Sequence, residues 1–428
     1  MRRFLYVILI LLPVAQACMP LQMGQTTAPG LNLASLYNPS RFSLHPDFTV
    51  YHEQDDWSTL FMRVYPAELM FSQANNDAEM RAVLELQYKL YCEVPDSGYS
   101  LAATDTVRYK LTAREKERTA WLASLQLPLS AGQKYILQMT LTDKQRGSLG
   151  FDQVVVDKTG PYTAQNFEVV SAYTGYPKFM NFFLPSEKFY LKYNDSSEDT
   201  IYIDYFSRNF ELPRPPLNSL AEYRLKESPD TTLVSQLNDT TLFSLEKTGM
   251  YRFRISPEHP EGITLFNFGK SFPNIQTPDD LLEPLFYIST LTEYRDLRRQ
   301  SNRKLAVDDF WLSCGNSIER SREMIRVYYN RVLYANLYFS SDREGWKTDR
   351  GMMLILFGPP DRVNINNSDE YWYYSSRKRG KVIELVFQRV EPQFAGSDYI
   401  WKRTPESWSV WNEAVQSWRS GKVFTLSD

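Results

Sequence analysis

The sequence predicts a multidomain chain: two tandem immunoglobulin-like β-sandwiches, a helical segment, and a C-terminal α+β domain with an antiparallel sheet. Three observations carry that expectation. Apolar and polar residues alternate through Leu84, Leu86, Tyr88 and Leu90, the period of a strand with one buried face. A glycine followed within three residues by a tyrosine opens a strand twice, at Gly132 to Tyr135 and at Gly249 to Tyr251, as in the tyrosine corner of such sandwiches. From residue 277 the pattern changes to that of capped amphipathic helices. A chain of 428 residues has room for about two to four domains.

In chain order, Met1-Arg2-Arg3 and the apolar run Phe4 to Leu12 read as a secretory signal peptide over 1–17. Ala15-Gln16-Ala17-Cys18 resembles a lipoprotein cleavage site, at which Cys18 is acylated. The plainer alternative is an ordinary signal peptide cut near Ala17. Residues 18–45 read as a lipidated tether, reaching on the order of 30 Å if flexible. No acidic run follows Cys18, and no aspartate stands directly after it. Both features point to the periplasmic side of an outer membrane. No later stretch approaches about 18 continuous apolar residues, so no transmembrane helix is expected.

Residues 46–160 read as the first sandwich, with strands around 84–92, 121–127 and 135–141 and a last one over Asp152 to Asp157. Each inward leucine contributes ~1.5–3 kcal/mol, which fixes the register. Residues 161–270 repeat the theme, with strands at Phe179–Leu184, Lys188–Tyr193 and Thr200–Phe206. Gly262 to Ser271 contains Gly-Lys-Ser, yet bulky Ile, Leu and Phe fill the interval. A loop that cradles phosphate needs bare backbone, so a strand and turn are expected. Residues 271–340 are helical. Thr277-Pro278-Asp279-Asp280 is an N-cap, a proline at the first helical position, and two acids over the positive helix end. A first helix runs to about Gln300, a short one covers Leu305–Cys314, and a long amphipathic one covers Ser317–Phe339.

Residues 341–428 read as an α+β unit packed with the 317–339 helix. Its core is the run Met352 to Phe357, apolar on both alternating faces and therefore expected to be a doubly covered strand. Gly358-Pro359-Pro360 stops it. Tyr371–Ser375 and Val382–Val390 follow as strands around a basic tip, 377–381. A last helix starts at Thr404-Pro405 and aligns Trp408, Trp411 and Trp418. It is expected on the sheet face opposite the long helix.

The stretch Gly345-Trp346-Lys347-Thr348-Asp349-Arg350-Gly351, followed by Gly358 and Pro360, resembles the signature of the GWxTD-domain family. Arg331, Tyr334 and Asn336 before it, and Trp372 and Tyr374 after it, are similar to the family's flanking motifs. The resemblance implies a bacterial envelope protein and names no reaction.

The chemistry is sparse. Lys and Arg number 48 against 51 Asp and Glu, a net charge of −3, so no nucleic-acid footprint appears. The three histidines show no metal-ligand spacing, and no zinc-protease, Cys-x-x-Cys or Gly-x-Ser-x-Gly motif occurs. Neither a metal nor a cofactor is expected. Cys92 and Cys314 fall in different domains, which argues against a disulfide. Asp349 and Asp361 are the best candidate carboxylate pair, but a strand between them holds them too far apart to flank one bond. Asp349 is expected to tie down its loop, against Arg331 or Arg350. The aromatic block 371–374 reads as core, with sugar stacking as the sharper alternative. Thr106, Thr200, Thr231 and Thr240, each after an aspartate, resemble O-glycan acceptors.

The leading expectation is a non-catalytic outer-membrane lipoprotein that binds a protein partner in an envelope secretion, transport or assembly machine. The alternatives are a glycan-binding lipoprotein, and an enzyme of unrecognised type using Asp349 and Arg350.

Overall fold

The computed structural model describes residues 32–73, 79–94, 98–207, 212–213, 228–366, 369–376, 381–390 and 398–424. The signal peptide over 1–17, Cys18, and the basic tip through Gly380 lie outside the described residues.

The first β unit has two antiparallel sheets over one core. The three-stranded sheet comprises Asp47–Tyr51, Trp57–Val64 and Trp121–Pro128; the five-stranded sheet is built around Met80–Val94. Leu84, Leu86, Tyr88 and Leu90 are all buried, as the alternation requires. They meet Leu60, Met62 and Leu127 of the other sheet in a single apolar cluster. Tyr135 returns its hydroxyl to Ser130, 3.1 Å from the amide and 3.4 Å from the carbonyl.

The second β unit pairs a three-stranded sheet with a four-stranded one, again over one core. Its Tyr251 hydroxyl bridges the amide and carbonyl of Lys247 at 3.0 and 2.9 Å. Both glycine–tyrosine steps thus fold the same way. The expected strand Phe179–Leu184 does not form: only Phe182 makes an isolated bridge, to Phe266. Gly269 to Ser271 is a turn after the strand Ile263–Asn267.

A buried lysine and a buried histidine tie the end of the first unit's last strand to its first hairpin. Lys158 donates to the carbonyls of Gln54 and Trp57 at 2.5 and 2.9 Å, and to the Ser58 hydroxyl at 3.1 Å. His52 lies against Ser58 Oγ at 2.8 Å and the Asp157 carbonyl at 3.0 Å. Burial lowers the histidine to a pKa of about 4.

Thr277 caps Pro278–Leu282 with a reciprocal Asp280 bond. The expected helix to Gln300 is interrupted: a 3-10 turn, Glu283–Tyr287, precedes a second capped helix, Leu291–Arg299. Pro284 accounts for the break, because it lacks a helical donor. Arg303–Gly315 and Ile318–Phe339 then form as expected, separated by Asn316 in the left-handed conformation.

The C-terminal sheet is a four-stranded antiparallel meander of Arg362–Ile365, Asp369–Ser376, Lys381–Val390 and Asp398–Trp401. The run expected as a strand, 352–357, is instead the body of a helix, Asp349–Phe357. Every residue of that helix is buried. A run apolar on both alternating faces is also apolar all round a helix, so periodicity alone could not separate the two. The cap decides: Thr348 Oγ1 accepts from the Gly351 amide at 3.0 Å. The last helix, Pro405–Arg419, does not take a separate face. Its Trp418 ring lies 5.2 Å from Tyr328 of the long helix, inside one shared core. Trp411 is buried with it, while Trp408 is exposed.

The expected tether is docked from Asn32 onward. A 3-10 turn, Leu33–Tyr37, carries Leu33, Ala34 and Tyr37 into the core of the C-terminal unit. Further along, Phe42 packs on Phe151 of the first β unit at 6.4 Å. The segment therefore touches both the C-terminal unit and the first β unit.

Candidate functional site

The signature residues converge on the buried helix Asp349–Phe357. Ahead of it, Gly345 packs so closely on the long helix that a Cβ would overlap the Ala335 carbonyl. Gly351 packs in the same way on the Gly345 carbonyl. Both positions need glycine for close approach, whatever their φ. Trp346 is buried between them, its amide 3.2 Å from Asn336 Oδ1 and its carbonyl 2.7 Å from the Tyr287 hydroxyl. Asn336 also donates to the Pro273 carbonyl at 3.0 Å. Thr348 starts the helix, and its hydroxyl donates back to the Gly345 carbonyl at 2.8 Å.

The charged residues of the signature are paired. Asp349 accepts from Arg403 at 2.6 and 3.0 Å and from the Trp401 amide at 2.8 Å. The expected partners Arg331 and Arg350 are engaged elsewhere. Arg350 donates to Glu370 at 3.0 Å and lies over the Phe339 and Tyr399 rings. Glu370, fully buried, also accepts from Trp372 Nε1 at 2.5 Å. Arg331 closes the far end of the helix, donating to the Ile355, Leu356 and Phe424 carbonyls at 3.1 to 3.3 Å. Trp418 Nε1 reaches Leu356 O at 3.0 Å, and the Tyr374 hydroxyl reaches Gly358 O at 3.0 Å. These donors satisfy the terminal carbonyls that any helix leaves open.

Of the motif residues, only Tyr334 stands apart, half-buried and stacked on Tyr338. Pro360 is buried just beyond the helix. Arg403, Glu370 and Tyr287 escaped the sequence reading, because pairing across 20 to 60 residues leaves no local pattern. Trp372 and Tyr374 are buried, as core residues should be. Thr106, Thr231 and Thr240 are exposed, and Thr200 is half-buried. Cys92 and Cys314 are free thiols.

A polar cavity of about 130 Å³ lies beside Trp346, between the Phe268–Phe272 turn and Asp280, Glu283 and Glu344. Burial raises the Glu283 carboxyl above its ordinary range, and Lys347 opposes the shift. Asp349 and Arg350 do not line this cavity. Among the described residues no group of acids, histidines and cysteines is placed to hold a metal ion.

None of the curated proteins matches the chain. Among solved structures, one described as a "putative beta-galactosidase from bacteroides fragilis" is similar at 13% identity, with a TM-score of 0.18. The match covers 32% of this chain and only 19% of that one. A likeness at that level says nothing of fold or reaction. The family comparison is specific: residues 249–420 match the GWxTD domain, so the buried helix and its network form the interior of a GWxTD domain.

Proposed function

We propose that this protein is an outer-membrane lipoprotein, exported by residues 1–17, acylated at Cys18 and facing the periplasm. In this reading it is a non-catalytic subunit that binds protein partners in an envelope secretion, transport or assembly machine. The observation that carries the reading is the state of the signature. Asp349 is held by Arg403 and Arg350 by Glu370, each in a buried pair inside a helix interface. Groups fixed in this way serve a rigid platform better than a reaction. Trp372, the residue on which sugar stacking would rest, is fully buried.

The docked N-terminal turn also supports a defined placement. Thirteen residues separate Cys18 from Asn32, a span of at most ~50 Å when extended. An acylated Cys18 would hold the GWxTD domain close to the bilayer, with the two β units, read as immunoglobulin-like, as spacers. In-cell crosslinking followed by mass spectrometry tests the partner reading, and recovery of no protein partner would count against it. The intact mass of the native protein tests acylation at Cys18 and glycosylation of the four threonines.

A further inference from the structure

The turn that docks on the GWxTD domain fills a slot with two distinct parts. At its mouth, the Asn32 carboxamide donates to the Asp361 carbonyl at 2.8 Å and accepts from the Val363 amide at 3.0 Å. Arg362–Ile365 is the outer strand of the four-stranded sheet among the described residues. One side chain thus occupies a donor–acceptor pair that an added strand would otherwise use. At its floor, the Tyr37 ring packs on Phe339 at 4.8 Å and on Trp372 at 5.5 Å. Burial, with the charge of Glu370 (the partner of Arg350) next, pushes the Tyr37 hydroxyl pKa well above its usual value. Ala34 and Leu33 are buried between the two ends.

The slot therefore reads two features of a peptide: a carboxamide, and a tyrosine five residues later. We propose that it is a peptide-docking site of the GWxTD domain, filled in cis by Asn32–Tyr37 and filled in trans by the same segment of a second copy of this chain. The second copy is the occupant because its segment carries the sequence already seen to fit. Exchange of such a short element needs no new contact. The inference deepens the partner-binding reading above, but it rests on these contacts alone. Failure to crosslink a partner in cells would leave it standing, and failure of the tests below would leave the envelope reading standing.

Two measurements on the full chain test it. In hydrogen exchange of the wild type, the amides of 33–37 are expected to open at least tenfold faster than those of the helix Asp349–Phe357. Equal protection would make the segment an inseparable part of the core and overturn the proposal. In the second, Asn32→Ala/Tyr37→Ala removes the two anchors of the cis segment and leaves the residues that wall the slot unchanged. A synthetic peptide of residues 31–44 is expected to bind this variant at least tenfold more tightly than the wild type, and a peptide carrying Tyr37→Ala should not bind. Sedimentation of wild type refolded at high concentration should show a dimer that the variant does not form. A folded variant that ignores the peptide, a variant whose signature helix loses protection, or a wild type that stays monomeric after refolding at high concentration would each overturn it.

Discussion

Arg403 grips Asp349 with two guanidinium nitrogens, 2.6 Å from Oδ1 and 3.0 Å from Oδ2, at the first turn of the signature helix. Each side chain is only 9% exposed. Removing one member of such a pair strands the other charge, at a cost of ~3–5 kcal/mol. Asp349→Asn and Arg403→Met should each destabilise the C-terminal unit by about that much, and the double variant by clearly less than the sum. Tryptophan fluorescence during urea unfolding is the suitable probe, since all nine tryptophans except Trp57 and Trp121 lie at or beyond Trp311. Additive single effects would mean that the two groups do not act as a pair.

The three glycines of the signature should rank by mechanism. Gly345→Ala and Gly351→Ala drive a methyl into a backbone carbonyl that belongs to a packed helix or its cap. Backbone cannot step aside as a flexible side chain can, so each should cost upwards of ~4 kcal/mol. Gly358→Ala meets the Arg331 guanidinium at 2.8 Å and a φ of +82°, a strain of ~1–3 kcal/mol. Limited proteolysis separates the cases. Gly345→Ala should leave the β units resistant and open the C-terminal unit, while Gly358→Ala should remain resistant throughout at low temperature.

Much of this fold could be read from local pattern. The alternation through Leu84 to Leu90, the two tyrosine corners, the Thr277 cap and the long helix from Ser317 are each encoded within about ten residues. The signature helix was the informative miss. Met352 to Phe357 is apolar at every position, so neither a twofold nor a 3.6-fold period stands out. Of its six residues only Ile355 is β-branched, and Thr348 stands where a cap must be. Those two signals favour a helix, while the stop at Gly358-Pro359-Pro360 ends either element equally well. The docking of Asn32–Tyr37 on Asp361, Val363 and Trp372 was not legible at all. More than 300 residues separate the partners, and polar composition made the segment look like a linker.

Arg331 should be irreplaceable by lysine. Burial pulls its pKa down to about 10, so the group stays charged at neutral pH. Its forked donors reach the Ile355 and Leu356 carbonyls and, from the other nitrogen, Phe424. The plane also lies over the Trp418 ring at 5.3 Å. Lysine is a point donor without that fork. Arg331→Lys and Arg331→Met should therefore both lose ~3 kcal/mol or more, because buried acceptors are left open. Hydrogen exchange should show the loss first at the end of the signature helix and in Lys422 to Phe424. Full protection in the lysine variant would indicate that charge alone suffices.

Stability of the first β unit should depend on pH through two groups of opposite sign. Burial lowers His52 from 6.5 to about 4, and the Lys158 charge acts in the same direction. Between those values the unfolded chain takes up a proton that the native state refuses. The His52 contribution is thus complete above pH 6.5 and falls by roughly 3 kcal/mol as pH drops toward 4. Asp152 does the reverse. Burial raises its carboxyl from 3.8 to about 7, so the native state holds a proton that the unfolded chain gives up. Its contribution grows as pH falls from 7 toward 3.8. The wild type should therefore show a shallow profile between pH 4 and 6.5. His52→Gln should make this unit more stable as pH falls through that window, and Asp152→Asn should make it less stable. Parallel profiles for the two variants in a pH series of urea unfolding would refute the assignment of the opposing slopes to these residues.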